Sequence, residues 1–268
     1  MPEAIESYLA TATPLALGIV GSFVAGLATG VGALPVLLAG RTSARTDTLL
    51  LAFAAGIMLA ATGFSLILPG LEAAAERVGP GIGAALVVAA GTLLGGAALA
   101  AIHRFVPHEH FMKGHEGPST ARFGRLWLFV FAIALHNLPE GLAVGVGFGG
   151  EEPLRGAALA IGIGLQNMPE GFAVAAALGA LGYGRGQAFA IALATGLIEP
   201  IGGILGAFAI TLAAWLLPWA LAFAAGAMLY VVSGEIIPET HREGRETNAT
   251  FAVLAGFALM MVLDAAIA

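Results

Sequence analysis

Apolar residues run almost unbroken for stretches of about 20 positions or more, the length a helix needs to cross the hydrocarbon core of a bilayer. Eight such runs can be set off, at 14–39, 48–70, 81–103, 126–148, 154–181, 187–213, 215–238 and 249–267. Short polar words divide them: GRTSARTD at 40–47, LEAAAERVGPG at 71–81, GGEEP at 149–153, GYGRG at 182–186 and THREGRETN at 240–248. A longer polar loop at 104–125 separates the third run from the fourth, and the seam between the sixth and seventh, near Trp215 and Pro218, is the faintest. No run alternates as a barrel strand does, and only helices or closed barrels satisfy their backbone polar groups in lipid. The pattern therefore predicts an all-α polytopic membrane protein of eight transmembrane helices. Residues 1–268 read as one transmembrane domain.

Composition agrees. Of 268 residues, 59% are hydrophobic and only 10% charged, with mean hydropathy +0.92, where a soluble domain carries about a quarter charged residues. The 39 glycines suit transmembrane helices, which pack closely through small residues. Cysteine is absent, so disulfides and thiolate metal sites are excluded. The acidic start, MPEAIESYLATATP, has no basic n-region, so no cleavable signal peptide is expected. With the N-terminus outside, the inner loops hold Arg41, Arg45, Arg104, Lys113, Arg122, Arg125, Arg185, Arg242 and Arg245, while the outer loops hold only Arg77 and Arg155. By the positive-inside rule both termini face out, in the plasma or inner membrane of a cell. Nothing in the charge pattern suggests a nucleic-acid partner.

Two words interrupt the apolar pattern where lipid-spanning helices are expected. HNLPEGLAV (136–144) recurs as QNMPEGFAV (166–174), with six of nine positions matched at an offset of 30. The loop centre near Glu151 lies 15 residues from both His136 and Gln166. At about 1.5 Å per residue each word is about 20 Å below that surface, near the middle of the bilayer. A second repeat, LAFAAGIML (51–59) and LAFAAGAML (221–229), differs at one position and is followed by Pro69 in one copy and Pro238 in the other. The copies of each repeat lie in spans of opposite direction, which implies a pseudo-two-fold axis in the membrane plane. Such symmetry is typical of secondary transporters that bind substrate at the midplane.

On a helix His136, Asn137 and Glu140 share a face, and Gln166, Asn167 and Glu170 repeat the arrangement. Pro139 and Pro169 each remove a backbone donor and free a carbonyl, at Leu135 and Leu165. Glu199, followed by Pro200, lies near the middle of the sixth run. Three carboxylates in a low dielectric repel one another or take up protons. A divalent cation resolves the conflict, and a nitrogen with carboxylate and amide oxygens suits Zn²⁺ and also Fe²⁺, Mn²⁺, Co²⁺ or Cd²⁺. Intramembrane ionisable groups of this kind are functional by default.

At these residues the sequence resembles the ZIP (Zrt/Irt-like) family of divalent metal transporters, in its bacterial branch. The likeness covers essentially the whole chain: HNLPEG, QNMPEG, GLIEP around Glu199, FAAGIMLAATGFSLILPGLE in the second span and EIIPETHREG after the seventh. It implies eight helices, with spans one to three and six to eight related by inversion around four and five. It also implies homodimers and a binuclear site at mid-membrane. Carried over by position, it implies one metal held by Met58, His136, Glu140, Gln166 and Glu170. A second would lie among Asn137, Asn167, Glu199 and the shared carboxylates. Some bacterial members have Asp where this chain has Asn167, and His where it has Gly234.

The same likeness puts Ser65 on the ion path. Glu72 and Asp264, at outer ends of spans, are placed to gather cations, and Glu235, Glu239 and His241 to form an inner exit. The cytoplasmic loop 104–125, with His103 just before it, offers His108, His110 and His115 as a place to bind metal after release or to sense it.

The expected function is import of Zn²⁺, with other divalent ions possible, by alternating access of the block bearing spans four and five against the block bearing the LAFAAG repeats. Protons would exchange with metal on Glu140, Glu170 and Glu199. An intramembrane metalloenzyme is the rival from another class. It is disfavoured because no His-Glu-x-x-His word is present and the midplane offers one histidine with no open position. A channel or exporter would use the same ligands. A purely structural protein has no need of three mid-span glutamates.

Overall fold

A computed structural model describes residues 11–39, 44–105, 108–110, 114–116, 137–149, 153–180, 183–241 and 246–267. Helix α1 covers Pro14–Ala39, and α2 (Ala44–Ala61) continues through a π-helical turn, Thr62–Ile67, into α3 (Leu68–Val78). Then come α4 (Ile82–Phe105), a helix at 137–147 (α5), α6 (Pro153–Ala180), α7 (Arg185–Gly196) and α8 (Glu199–Leu212). A 3₁₀ turn, Ala214–Leu216, leads to α9 (Leu217–Val231), a second π turn (Val232–Ile236), α10 (Ile237–Thr240) and α11 (Glu246–Ile267). Within the polar loop, β1 (His108–His110) and β2 (Gly114–Glu116) pair antiparallel. Among the described residues six helical segments are long and apolar enough to cross a membrane: 14–37, 48–78, 82–102, 185–212, 217–240 and 246–266. Helix α6 has the length to cross but carries Gln166, Asn167 and Glu170 in its middle.

Three features depart from the hydropathy reading. The second span does not stop at 70, because LEAAAERV is good helix-forming sequence. It runs to Val78 and ends at Gly79 with φ of 84°, a conformation that suits glycine. The sixth run is two helices, broken at Leu197 and Ile198. The polar loop holds the short hairpin, although strands are not expected anywhere in the chain.

The two π turns occupy equivalent places. Each begins 11 residues after the start of its LAFAAG word, and each is followed by a proline near the start of the next helix, Pro69 or Pro238. A proline cannot donate to the carbonyl four residues back, and its ring crowds that carbonyl. The preceding turn widens instead, so the Leu68 amide reaches the Gly63 carbonyl and the Ile237 amide reaches the Val232 carbonyl.

Helix crossings repeat in the same way. Helix α2 packs on α11 and α9 on α4. At the first crossing the Cα of Gly56 abuts the Val253 carbonyl, and that of Gly256 abuts the Phe53 carbonyl. At the second, Gly226 abuts the Thr92 carbonyl and Gly95 the Phe223 carbonyl. Gly56 and Gly226, like Phe53 and Phe223, are 170 positions apart. Gly26 and Gly196, also 170 apart, press against each other's carbonyls where α1 crosses α7. The G-x-x-x-G words serve packing within the chain, since Gly30 meets Leu193, Gly145 meets the Gly203 carbonyl and Gly149 meets Ile210.

Contacts at the helix ends tie these elements together. Arg155, at the start of α6, pairs with Glu72 of α3 at 2.5 Å. Arg185, at the start of α7, reaches the Leu37 carbonyl near the end of α1. Glu72 and Arg155 thus lie together at one set of helix ends, and Arg185 lies beside the end of α1.

Candidate functional site

The polar words of α5 and α6 and the break between α7 and α8 meet in the interior. Asn137, Glu140, Gln166, Asn167 and Glu199 are at most 1% exposed, and Glu170 is 8% exposed. Helix α6 has 28 residues and carries Gln166–Glu170 in its middle. Glu199 is equally central in the 28-residue stretch 185–212. It opens α8, with Pro200 behind it, so its carboxylate sits at the positive end of a half-helix. Discontinuous helices at mid-membrane are a recurrent device of transporter substrate sites.

Glycines set these side chains at close quarters. Gly141, directly after Glu140, abuts the Glu199 carbonyl, and Gly171, directly after Glu170, abuts the Thr29 carbonyl of α1. Gly202 meets the Leu138 carbonyl and Gly32 the Met168 carbonyl, so α8 lies on α5 as α1 lies on α6. A side chain at Gly141 or Gly171 would push the preceding glutamate's helix away from its neighbour. The final glycine of each P-E-G word is therefore a positioning residue of the site, and its presence in both words was the available signal.

One hydrogen-bond chain links three of the predicted residues. Asn167 Nδ2 donates to the Ala25 carbonyl at 2.9 Å and to Glu199 Oε1 at 2.6 Å, while Gln166 Nε2 donates to Asn167 Oδ1 at 2.9 Å. Buried oxygens with no hydrogen-bond donor among the described residues remain on Asn137 (Oδ1), Gln166 (Oε1) and Glu199 (Oε2). Glu140 and Glu170 lie near enough for their charges to act on Glu199. Burying acceptors without donors costs free energy that a cation would recover. Among the described residues no three His, Asp or Glu side chains converge closely enough to hold a metal by themselves. The donorless amide oxygens of Asn137 and Gln166 lie beside these carboxylates as further candidate ligands.

His136 lies outside the described residues. Met58 is fully buried within the main apolar cluster, as is Met228, its counterpart in the second LAFAAG word. Ser65, in the first π turn, donates to Asp264 Oδ1 at 2.8 Å, which joins two of the expected path residues. Glu235 is buried in the second π turn, 170 positions on from Ser65. Glu72 is engaged with Arg155. Glu239 is half-buried, and His241 contacts the Ile237 carbonyl and Thr250 Oγ1 through its two ring nitrogens. On the hairpin His108 pairs in register with Glu116, His115 with Glu109 and His110 with Gly114. Thr29 is a residue the sequence reading missed: its hydroxyl is buried with no hydrogen-bond partner among the described residues, beside Gly171 and Gly196, 170 positions before Glu199.

Comparison with known proteins gives a consistent result. Residues 106–264 match the family described as ZIP Zinc transporter. The chain is 47% identical to the zinc transporter GufA of Myxococcus xanthus over 247 residues, 92% of this chain and 97% of that protein. It is 51% identical to the zinc transporter ZIPB of Bordetella bronchiseptica over 240 residues, 90% of this chain and 78% of that one. It is 36% identical to the zinc transporter ZupT of Chlorobium phaeovibrioides over 252 residues, 89% of this chain and 93% of that one.

Proposed function

Because the chain belongs to the ZIP zinc transporter family, we propose that it imports Zn²⁺ across the plasma or inner membrane through the buried cluster around Glu140, Glu170 and Glu199. It is a multi-pass membrane transporter of divalent metal, not an enzyme. The observation that carries the finer reading is the set of buried oxygens on Asn137, Gln166 and Glu199 that have no donor among the described residues, gathered with Glu140 and Glu170. The ion is held by Met58, His136, Glu140, Gln166 and Glu170. A second, weaker position lies beside Asn167, among Asn137, Glu199 and the shared carboxylates. Mixed nitrogen, oxygen and thioether donors also admit Fe²⁺, Mn²⁺, Co²⁺ and Cd²⁺.

The architecture of this reading is eight spans, with α5 and α6 at its centre and the first three and last three spans related by inversion. The constant spacing of 170 between equivalent glycines, π turns and crossing carbonyls supports it. Both termini face out, with the Arg and Lys asymmetry as support. The block of α5 and α6 moves against the block of α2, α4, α9 and α11, presenting the site to each side in turn. Ser65 and Asp264 lie toward the outer mouth and Glu235, Glu239 and His241 toward the inner one. His108, His110 and His115 receive metal in the cytoplasm, and the protein works as a homodimer.

Uptake of radioactive zinc into proteoliposomes tests the reading, with competing Mn²⁺, Fe²⁺ and Cd²⁺ ranking the substrates. Saturable uptake that is abolished in Glu170→Ala is the expected result. Tight zinc binding without flux would overturn transport.

A further inference from the structure

We infer that Asn167 keeps the second ion position closed, so that this chain's midplane site takes one tightly bound zinc ion, not two. The inference rests on the metal-carrier reading above and deepens it, since it concerns how many ions that site holds.

The orientation of the Asn167 amide is fixed from outside the site. The atom 2.9 Å from the Ala25 carbonyl must be Nδ2, because a carbonyl oxygen can only accept. The other proton of that NH₂ group goes to Glu199 Oε1 at 2.6 Å, and Oδ1 is left facing Gln166. Gln166 must then meet Oδ1 with Nε2, which turns its Oε1 away as a buried acceptor with no donor among the described residues. One backbone carbonyl of α1 thus fixes two consecutive amides of α6. Both donors of Asn167 are spent, one of them on a carboxylate oxygen that a second ion would need.

A cation shared by Asn167 and Glu199 needs an oxygen on the Glu199 side, where this structure has an N–H. Turning the amide breaks three hydrogen bonds at once, to Ala25, Glu199 and Gln166. One of these has a carboxylate acceptor and belongs to the stronger class. An aspartate at 167 has no donor to offer. Its oxygen would face both the Ala25 carbonyl and Glu199 Oε1, an arrangement that only a cation or a proton relieves. The amide of Asn167 therefore does what the second ion's charge would do, and by holding Nε2 it leaves Gln166 Oε1 available to the first ion. Asn167 is a positioning residue, not a ligand.

The test is zinc stoichiometry on the full chain, purified in detergent and stripped with chelator. Bound zinc is titrated calorimetrically and counted by elemental analysis after dialysis against buffered zinc. Wild type is expected to hold one zinc per chain, with any second ion at least about a hundredfold weaker, the loss of one strong and two ordinary hydrogen bonds. Asn167→Asp is expected to hold two, and Asn167→Asp/Glu199→Gln to return to one. Asn167→Ala, which can neither donate nor ligate, keeps one zinc but binds it about tenfold more weakly, as Gln166 loses its orientation. Two tight zinc ions on wild type would overturn the inference. So would a single zinc on an Asn167→Asp protein that melts like wild type. A wild-type chain that binds no zinc would refute the metal-carrier reading itself.

Discussion

Alanine at Gly56 or Gly226 should destabilise the protein by the same amount, although the two residues are 170 positions apart. In each case the new methyl lands on a backbone carbonyl of the neighbouring helix, Val253 for Gly56 and Thr92 for Gly226. A backbone oxygen cannot rotate away as a side chain can, so the crossing itself must open by roughly 1 Å or more to restore normal contact. Overpacking of this kind costs about 1–3 kcal/mol. Glycine to alanine within a helix returns about 0.5–1 kcal/mol. The net loss is about 1–2 kcal/mol, and at about 2–4 °C per kcal/mol for a chain of this size Tm falls by about 2–8 °C. Thermal unfolding in one detergent, followed by circular dichroism, reads both variants against Gly186→Ala. Nothing lies within 4 Å of where that methyl would go, so Gly186→Ala should melt at or above the wild-type temperature. If Gly56→Ala lowers Tm while Gly226→Ala leaves it unchanged, the crossings are not equivalent and the inverted-repeat reading fails.

Other outcomes follow from the site and its surroundings. Glu140→Gln and Glu170→Gln keep the shape but remove a charged ligand, so zinc affinity measured by competition with a chelating dye should fall by at least about tenfold to a hundredfold. Carboxylates must lose their protons to bind metal, so zinc binding should weaken as pH falls and recover as it rises, and a flat titration between pH 7 and 5 would contradict carboxylate ligation. Saturating zinc at about 100 times its Kd should stabilise the chain by about 2.7 kcal/mol, visible as a raised Tm that chelator reverses. Glu72 and Arg155 are partly exposed, so breaking their pair by Glu72→Gln should shift Tm very little. If α6 moves against the helix that continues into α3, as proposed, the initial uptake rate should change instead, and Glu72→Arg/Arg155→Glu should restore it.

The transmembrane helices were legible because length and hydropathy decide the matter in lipid, where an unpaired backbone group is costly. Buried Asn137, Glu140, Gln166, Asn167, Glu170 and Glu199 were legible for the converse reason, since such groups have no cheap place in hydrocarbon. Hydropathy said nothing about backbone register, and so the π turns were missed, although Pro69 and Pro238 each follow one. Nor does proline alone foretell a break. Pro169 lies inside an unbroken α6, whereas Pro200 follows a real interruption, where the Ile198 amide bonds the Thr195 carbonyl and tightens the last turn of α7.

The least legible feature is also the most consequential for the chemistry. Asn167 reads in sequence as an amide oxygen offered to a cation, because it stands beside Gln166 on the face of Glu170. The carbonyl of Ala25, 142 positions earlier, turns the NH₂ toward Glu199 instead. An alanine carries no side-chain signal, and only its carbonyl takes part, so no inspection of residue types could have found it. That carbonyl comes within reach because α1 and α6 cross with Gly32 against Met168 and Gly171 against Thr29, leaving no side chains between the two backbones. The glycines, which look like packing residues, thereby determine which atom of Asn167 faces Glu199. An ion-site prediction that reads ligands from side chains alone will err wherever a close crossing lets a neighbouring backbone choose the orientation of an amide.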